Sequence, residues 1–174
     1  MNERKFLVSA PPKPSIRPAR ISDLADLVDL LCQLFTIETD FIIDPSRHAR
    51  GLRLLMRHAR RGTAAVLVAQ VGEDVVGMVT VQTVISTAEG ARSGWIEDLV
   101  VRDGWRRSGI GSLLMDEVEH WARDAGVTRL QLLADNRNKP ALDFYNRRGF
   151  SRNHMVFLRR ASEHKDPDCD RSVD

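Results

Sequence analysis

The sequence predicts an α/β (α+β) domain in which helices are interspersed along one mixed, mostly antiparallel sheet. Three observations carry this. Apolar residues recur at helical spacing in two early segments. The period then shortens to that of strands through a valine-rich stretch, and helical spacing returns after residue 110. Helices interspersed with one mostly antiparallel sheet give an α/β or α+β sandwich.

The elements follow in order. Residues 9–18 (SAPPKPSIRP) hold four of the seven prolines and read as an extended lead-in. Ile16 and Arg17 form a short strand at its end, and Ser22 and Asp23 supply N-cap chemistry for the next element. Leu24, Leu27, Val28, Leu31, Leu34 and Phe35 give a first amphipathic helix, in which Cys32 reads as a small core residue. A second helix is expected from Ser46 to Arg60 around Leu52, Leu55 and Met56. Ala64–Gln70 and Val75–Ser86 flank Gly72, Glu73 and Asp74, a hairpin signal, and Trp95–Val101 is a further strand. From Ile110, the residues Leu113, Leu114, Val118, Trp121, Ala122 and Ala125 mark a strong helix that Gly126 stops. Thr128–Ala134 is a strand. Pro140 suits a helix first turn, with Ala141, Leu142 and Tyr145 on the inner face and Gly149 and Phe150 at the end. His154–Arg159 is expected as a last strand, followed by a polar tail containing Cys169.

Composition narrows the function classes. The 174 residues suit one domain, and 43% hydrophobic with 29% charged residues is ordinary for a folded soluble chain. Lys+Arg 26 against Asp+Glu 24 leaves a formal charge of +2, and the arginines are interleaved with acids, so no nucleic-acid footprint stands out. No apolar run approaches the roughly 20 residues of a membrane span, and the first residues lack a secretory apolar stretch. Cytoplasmic location without a membrane partner is the expectation. Cys32 and Cys169 belong to no CxxC or Cys/His array, and His48, His58 and His154 have no partner at metal-ligand spacing, so no metal is expected.

The segment that carries chemistry is IEDLVVRDGWRRSGIGSLL, residues 96–114. A strand leads through Arg106, Arg107, Ser108, Gly109, Ile110 and Gly111 into a helix start. Unpaired N–H groups and the helix dipole make such a start an anion site. Glycine at 109 and 111 allows close backbone approach, and the arginines add positive charge. A Walker A loop needs Lys-Ser/Thr where Ile110 and Gly111 stand, and a dinucleotide fingerprint needs glycine where Leu114 stands.

Arg106-x-x-Gly109-x-Gly111 after an apolar strand resembles the acetyl-CoA pyrophosphate motif of the GNAT superfamily of N-acetyltransferases. Asn138 to Tyr145 followed by Gly149 and Phe150 is similar to that family's C-terminal motif, and Ile16 to Ala19 with Asp23 and Leu24 resembles its opening strand and helix. The resemblance spans residues 16–158. It implies a GNAT domain over residues 16–160, with six to seven strands, about four helices and a split between strands 4 and 5. Residues 1–15 would be a lead-in and 161–174 a tail.

The resemblance also implies roles. Acetyl-CoA would be the acyl donor, lying in the split. The main chain of Leu99, Val100 and Val101 would bond its pantetheine arm, and the N–H groups from Arg107 to Ser112 (Arg107, Ser108, Gly109, Ile110, Gly111, Ser112), with Arg106 beside them, its pyrophosphate. Asn138 would contact the cofactor arm. Tyr145 matches the family's general acid, protonating the leaving thiolate. The base that frees the amine is expected at Glu97, with Asp98 or a water chain as alternatives, since neighbouring strand side chains point to opposite faces. An N–H of Leu99 or Val100 would stabilise the oxyanion.

The segment from Glu38 to Asp44 would border the acceptor site, where its acids could attract a cationic amine; Arg47, Arg50 and Arg53 could instead admit an anionic one. Asp116, Glu119, His120 and Arg123 read as a solvated, charge-paired helix face. A small-molecule amine is the expected acceptor. A protein N-terminus or lysine is the alternative, and a non-catalytic acyl-CoA sensor is the competing class. A homodimer stays open, since dimers are frequent in the family.

Overall fold

The structure, a computed structural model, describes residues 12–38 and 41–160. Cys169, the polar tail, the start of the lead-in, Thr39 and Asp40 lie outside the described residues. The chain divides after Asn138 into two compact units, Met1–Asn138 and Lys139–Asp174.

The first unit holds a five-stranded sheet among its described residues, with strand order β1-β2-β3-β4-β5. Strand β1 (Ser15–Pro18) pairs antiparallel with β2 (Ala64–Val71), β2 with β3 (Asp74–Ser86), and β3 with β4 (Ala91–Val101). Only β5 (Val127–Leu132) runs parallel to its neighbour, β4. The expected hairpin closes β2 and β3, with Gly72 at φ +61°, a region that costs glycine little. A mostly antiparallel sheet with one parallel strand matches the predicted class.

Two layers of helix cover this sheet. Helix α1 (Leu24–Ile37) and α2 (Pro45–Ala59) bury Leu27, Leu30, Leu31 and Leu52 against Val66, Val68, Met78 and Val100. Helix α3 (Ile110–Asp124) packs on the other layer through Ile110, Leu114, Met115, Val118 and Ala122. Asp44 caps α2 by accepting from the N–H groups of Ser46 and Arg47 at 3.0 and 3.1 Å. Asp23 acts differently from a simple cap. It closes a short 3₁₀ turn (Ile21–Asp23), accepting from Arg20 N–H at 2.6 Å, and pairs in bidentate fashion with Arg17 at 2.7 and 2.9 Å. Among the described residues no helix is long and apolar enough to cross a membrane.

The second unit contains α4 (Lys139–Arg147), whose predicted inner face at Ala141, Leu142 and Tyr145 is half-buried. Gly149 ends it at φ +83°, as expected.

Two expectations need correction. The sheet has five strands among the described residues, not six to seven. His154–Arg159 is not a strand; Met155, Val156, Phe157 and Leu158 are 82, 78, 61 and 87% exposed. A β-rich pattern specifies a strand only where a neighbour accepts its hydrogen bonds, and no strand among the described residues pairs with this segment.

Candidate active site

Strand β4 carries four of the predicted site residues, Glu97, Leu99, Val100 and Val101. Its pairing with β5 runs from Arg92 opposite Val127 to Ile96 opposite Leu132 and stops there. From Glu97 to Val101 β4 pairs with β3 alone among the described strands, so no described strand covers the edge that faced β5. This is the expected split between strands 4 and 5.

A bulge lies at the same point. Between the pairs Met78–Val100 and Thr80–Glu97, β3 advances two residues and β4 three. The extra residue is accommodated with Asp98 at φ +54°, a left-handed conformation that aspartate tolerates better than most residues. The bulge breaks strict alternation. Thr80 pairs with Val66 of the α1/α2 core layer, and Gln82, Trp95 and Glu97 share that face. The Glu97 carboxylate accepts from Trp95 Nε1 at 3.1 Å and from Gln82 Nε2 at 3.2 Å. Asp98 Oδ2 lies 3.1 Å from the Thr80 hydroxyl, on the same side. The two acids therefore do not point to opposite faces, as regular pleating would have them.

Their environments differ. Glu97 is exposed, whereas Asp98 is half-buried. Burial, then the nearby charge of Glu97, pushes the Asp98 carboxyl up to about 6; the Thr80 hydrogen bond opposes this, and Glu38 at the end of α1 adds to it.

Beyond β4 the chain turns through residues 102–109 into α3. Arg102 anchors the turn: its N–H donates to Val76 O at 2.8 Å, and its guanidinium reaches Asp29 at 2.6 Å and Asp26 at 3.5 Å on α1. Arg106 donates from Nε to Val101 O at 3.1 Å and pairs with Asp103 at 3.1 Å, so it braces the loop. Arg107 at φ +64° and Gly109 at φ +86° bend the backbone, and nothing lies within 4 Å of where a Gly109 side chain would begin. The N–H groups of Arg107, Ser108, Gly109, Ile110 and Gly111 have no acceptor among the described residues. Those of Ser112 and Leu113 both donate to Gly109 O, at 3.0 and 3.1 Å. The free donors sit at the positive end of α3, a cradle that fits a diphosphate.

Asn138 closes the first unit, its N–H donating to Asp135 O at 3.0 Å; Arg137 beside Asp135 holds that carboxyl below the usual range. Tyr145 belongs to the second unit, half-buried on α4, with ring centroids 5.4 Å from Phe144 and 5.8 Å from Phe150. The residues that sequence reasoning missed are Thr80, Gln82, Trp95 and Arg102. Thr80, Gln82 and Arg102 act through partners far away in sequence and Trp95 through Glu97, two residues on, and no local motif marks them. His48 and His58 have local roles: His48 Nε2 accepts from Asp44 N–H at 3.1 Å, and His58 Nδ1 lies 3.3 Å from the Thr63 hydroxyl.

The acetyltransferase (GNAT) family model matches residues 25–150, most of the chain. The chain belongs to the GNAT family. Its GNAT relatives include the aminoalkylphosphonate N-acetyltransferase of Salmonella typhimurium, 27% identical over 85% of this chain and 92% of that protein. Among solved structures, a transcriptional regulator from Bacillus halodurans C-125 superposes with a TM-score of 0.75 at 25% identity, over 86% of this chain and 100% of that one. An aminoglycoside acetyltransferase from an uncultured soil metagenomic sample, in complex with sisomicin, has a TM-score of 0.69 at 22% identity, over 86% of this chain and 97% of that one, a likeness of fold. This GNAT chain is thus an acyltransferase, and the donor of its family is acetyl-CoA.

Proposed function

We propose that this GNAT enzyme transfers an acetyl group from acetyl-CoA to the primary amine of a small molecule, by direct attack within a ternary complex. The observation that carries the reading is the β4 edge at Glu97–Val101, uncovered by any described strand and followed in the chain by the amides of Arg107–Gly111, which have no acceptor among the described residues. An extended amide-bearing arm can add to the first as a strand would, and a diphosphate can sit in the second.

In this reading the main chain of Leu99, Val100 and Val101 holds the pantetheine arm. Arg107, Ser108, Gly109, Ile110 and Gly111 bind the pyrophosphate through their N–H groups, while Ser112 serves the helix and Arg106 braces the loop. Asn138 contacts the cofactor arm. Acetyl-CoA, when bound, supplies an activated thioester carbonyl. An N–H of Leu99 or Val100 stabilises negative charge on its oxygen. Tyr145 donates a proton to the leaving thiolate; this assignment rests on its place in the family's C-terminal motif.

Only the neutral amine is nucleophilic, so a group must accept the ammonium proton. Glu97 was the expectation from sequence. Geometry supports Asp98 instead: its carboxyl is half-buried, bonded by the Thr80 hydroxyl and pushed up to about 6, whereas the Glu97 carboxylate is exposed and engaged by Trp95 and Gln82. Glu97, Asp98 and Glu38 together favour a cationic acceptor. The relatives named for aminoalkylphosphonates and aminoglycosides support a small-molecule amine.

The test is CoA release with a mixed amine library, with products identified by mass spectrometry. Release with small amines and mass gains of one acetyl group are expected. Tight acetyl-CoA binding without release for any amine would favour a sensor, and acetylation confined to peptides would move the acceptor to protein.

A further inference from the structure

We infer that Thr80 is a positioning residue for proton transfer, a hydroxyl rotor that follows the charge of Asp98. Thr80 lies on β3 and is 1% exposed, so its hydroxyl has no solvent to fall back on. Its single proton has two acceptors within reach, Asp98 Oδ2 at 3.1 Å and the main-chain oxygen of Glu97 at 3.2 Å. The bulge creates this arrangement. In a regular pair, Thr80 would face only its partner Glu97, but the extra residue at φ +54° turns the next carboxylate back over the same hydroxyl.

The inference rests on the reading of Asp98 as the base. With Asp98 ionised, Thr80 donates to Oδ2 of the carboxylate and leaves Oδ1 free to take a proton. When Asp98 has taken the proton of the acceptor ammonium, it becomes a donor. That proton sits on Oδ1, which leaves Oδ2 a neutral and weaker acceptor, and Thr80 then turns its own proton to Glu97 O. No proton leaves the pair until Asp98 releases it, and both states keep Thr80 satisfied in a place where an orphaned hydroxyl would be costly.

The two states are not equally favoured. A hydrogen bond to the charged carboxylate is roughly twice as strong as one between neutral groups. Thr80 therefore holds the carboxyl lower than burial and the acids Glu97 and Glu38 would leave it. Removing the hydroxyl should raise the titration point of Asp98 by about one unit, a tenfold change in its proton affinity.

The experiment compares the full-length protein with Thr80→Val, which keeps the branched shape, and Thr80→Ser, which keeps the hydroxyl. Thr80→Ala repeats the comparison without branched packing. Two readouts are taken: the Asp98 carboxyl titration by carbon NMR without substrate, and the pH profile of kcat/KM. In Thr80→Val and Thr80→Ala, both the titration and the acid limb should move up by about one unit, with Thr80→Ser near the parent. An unmoved carboxyl titration overturns the inference. A titration that moves while the rate profile stays put supports the Thr80 contact and overturns Asp98 as the base.

Discussion

A side chain at Gly77 would begin 3.3 Å from Cγ2 of Ile110, the first residue of α3, and 3.0 Å from the carbonyl oxygen of Val100. The bare backbone at 77 is what lets α3 start close against β3 and β4, with its free amides beside the open edge. Gly77→Val should push this helix start outward. The expected outcome is a loss of about 1–3 kcal/mol in unfolding free energy, typical of overpacking, and a several-fold weaker affinity for acetyl-CoA. Denaturant titration and calorimetric binding check the two parts; wild-type affinity in a folded variant would detach Gly77 from the cradle.

Asp98→Asn should have opposite effects on activity and stability. Because the carboxyl titrates near 6 when folded and near 3.9 when unfolded, the native state binds the extra proton between those values. Stability from this group is thus highest at low pH and declines as pH rises through that window. The neutral amide removes the cost, so at pH 7 the variant should be more stable by about 1–2 kcal/mol, while kcat/KM falls at least a hundredfold and loses its acid limb near 6. Glu97→Gln should retain that limb. A limb that persists in Asp98→Asn and vanishes in Glu97→Gln would return the base to Glu97.

The Arg17–Asp23 pair joins β1 to the start of α1. Arg17 also donates from Nε to Gln70 at 2.6 Å, and the Arg17 hydrogen bond, the main cause, holds the Asp23 carboxyl below its ordinary value. A depressed folded pKa means stability that is present above the unfolded value near 3.9 and lost as pH falls through the lower, folded one. Asp23→Ala should cost about 2 kcal/mol at pH 7, since it strands a partly buried guanidinium and the Arg20 N–H. The penalty should shrink in acid, as thermal unfolding at pH 7 and pH 3 will show.

Tyr145→Phe isolates the phenolic proton while preserving ring packing against Phe144 and Phe150. Turnover should fall by ten- to a hundredfold with little change in acetyl-CoA affinity. Unchanged turnover removes the role of general acid from this residue.

Much of this molecule could be read from local pattern. Period changes located α1, α2, α3 and the strands from β2 to β5 to within a few residues, because each buries one face and its apolar spacing records that geometry. The Gly109 cradle was legible for a similar reason, since a helix start and its glycine are neighbours in the chain.

What escaped the linear reading depends on pairing across the sheet. Whether Met155–Leu158 becomes a strand is decided by a partner strand, not by its own residues. Alternation placed Glu97 and Asp98 on opposite faces, and only register against Met78 and Thr80 reveals the bulge that puts both on one. Thr80, Gln82 and Arg102 acquire their roles from residues remote in the chain. Short-range sterics and hydrophobic period are written in consecutive residues, whereas the proton affinity of a carboxyl is set by whatever the fold packs around it.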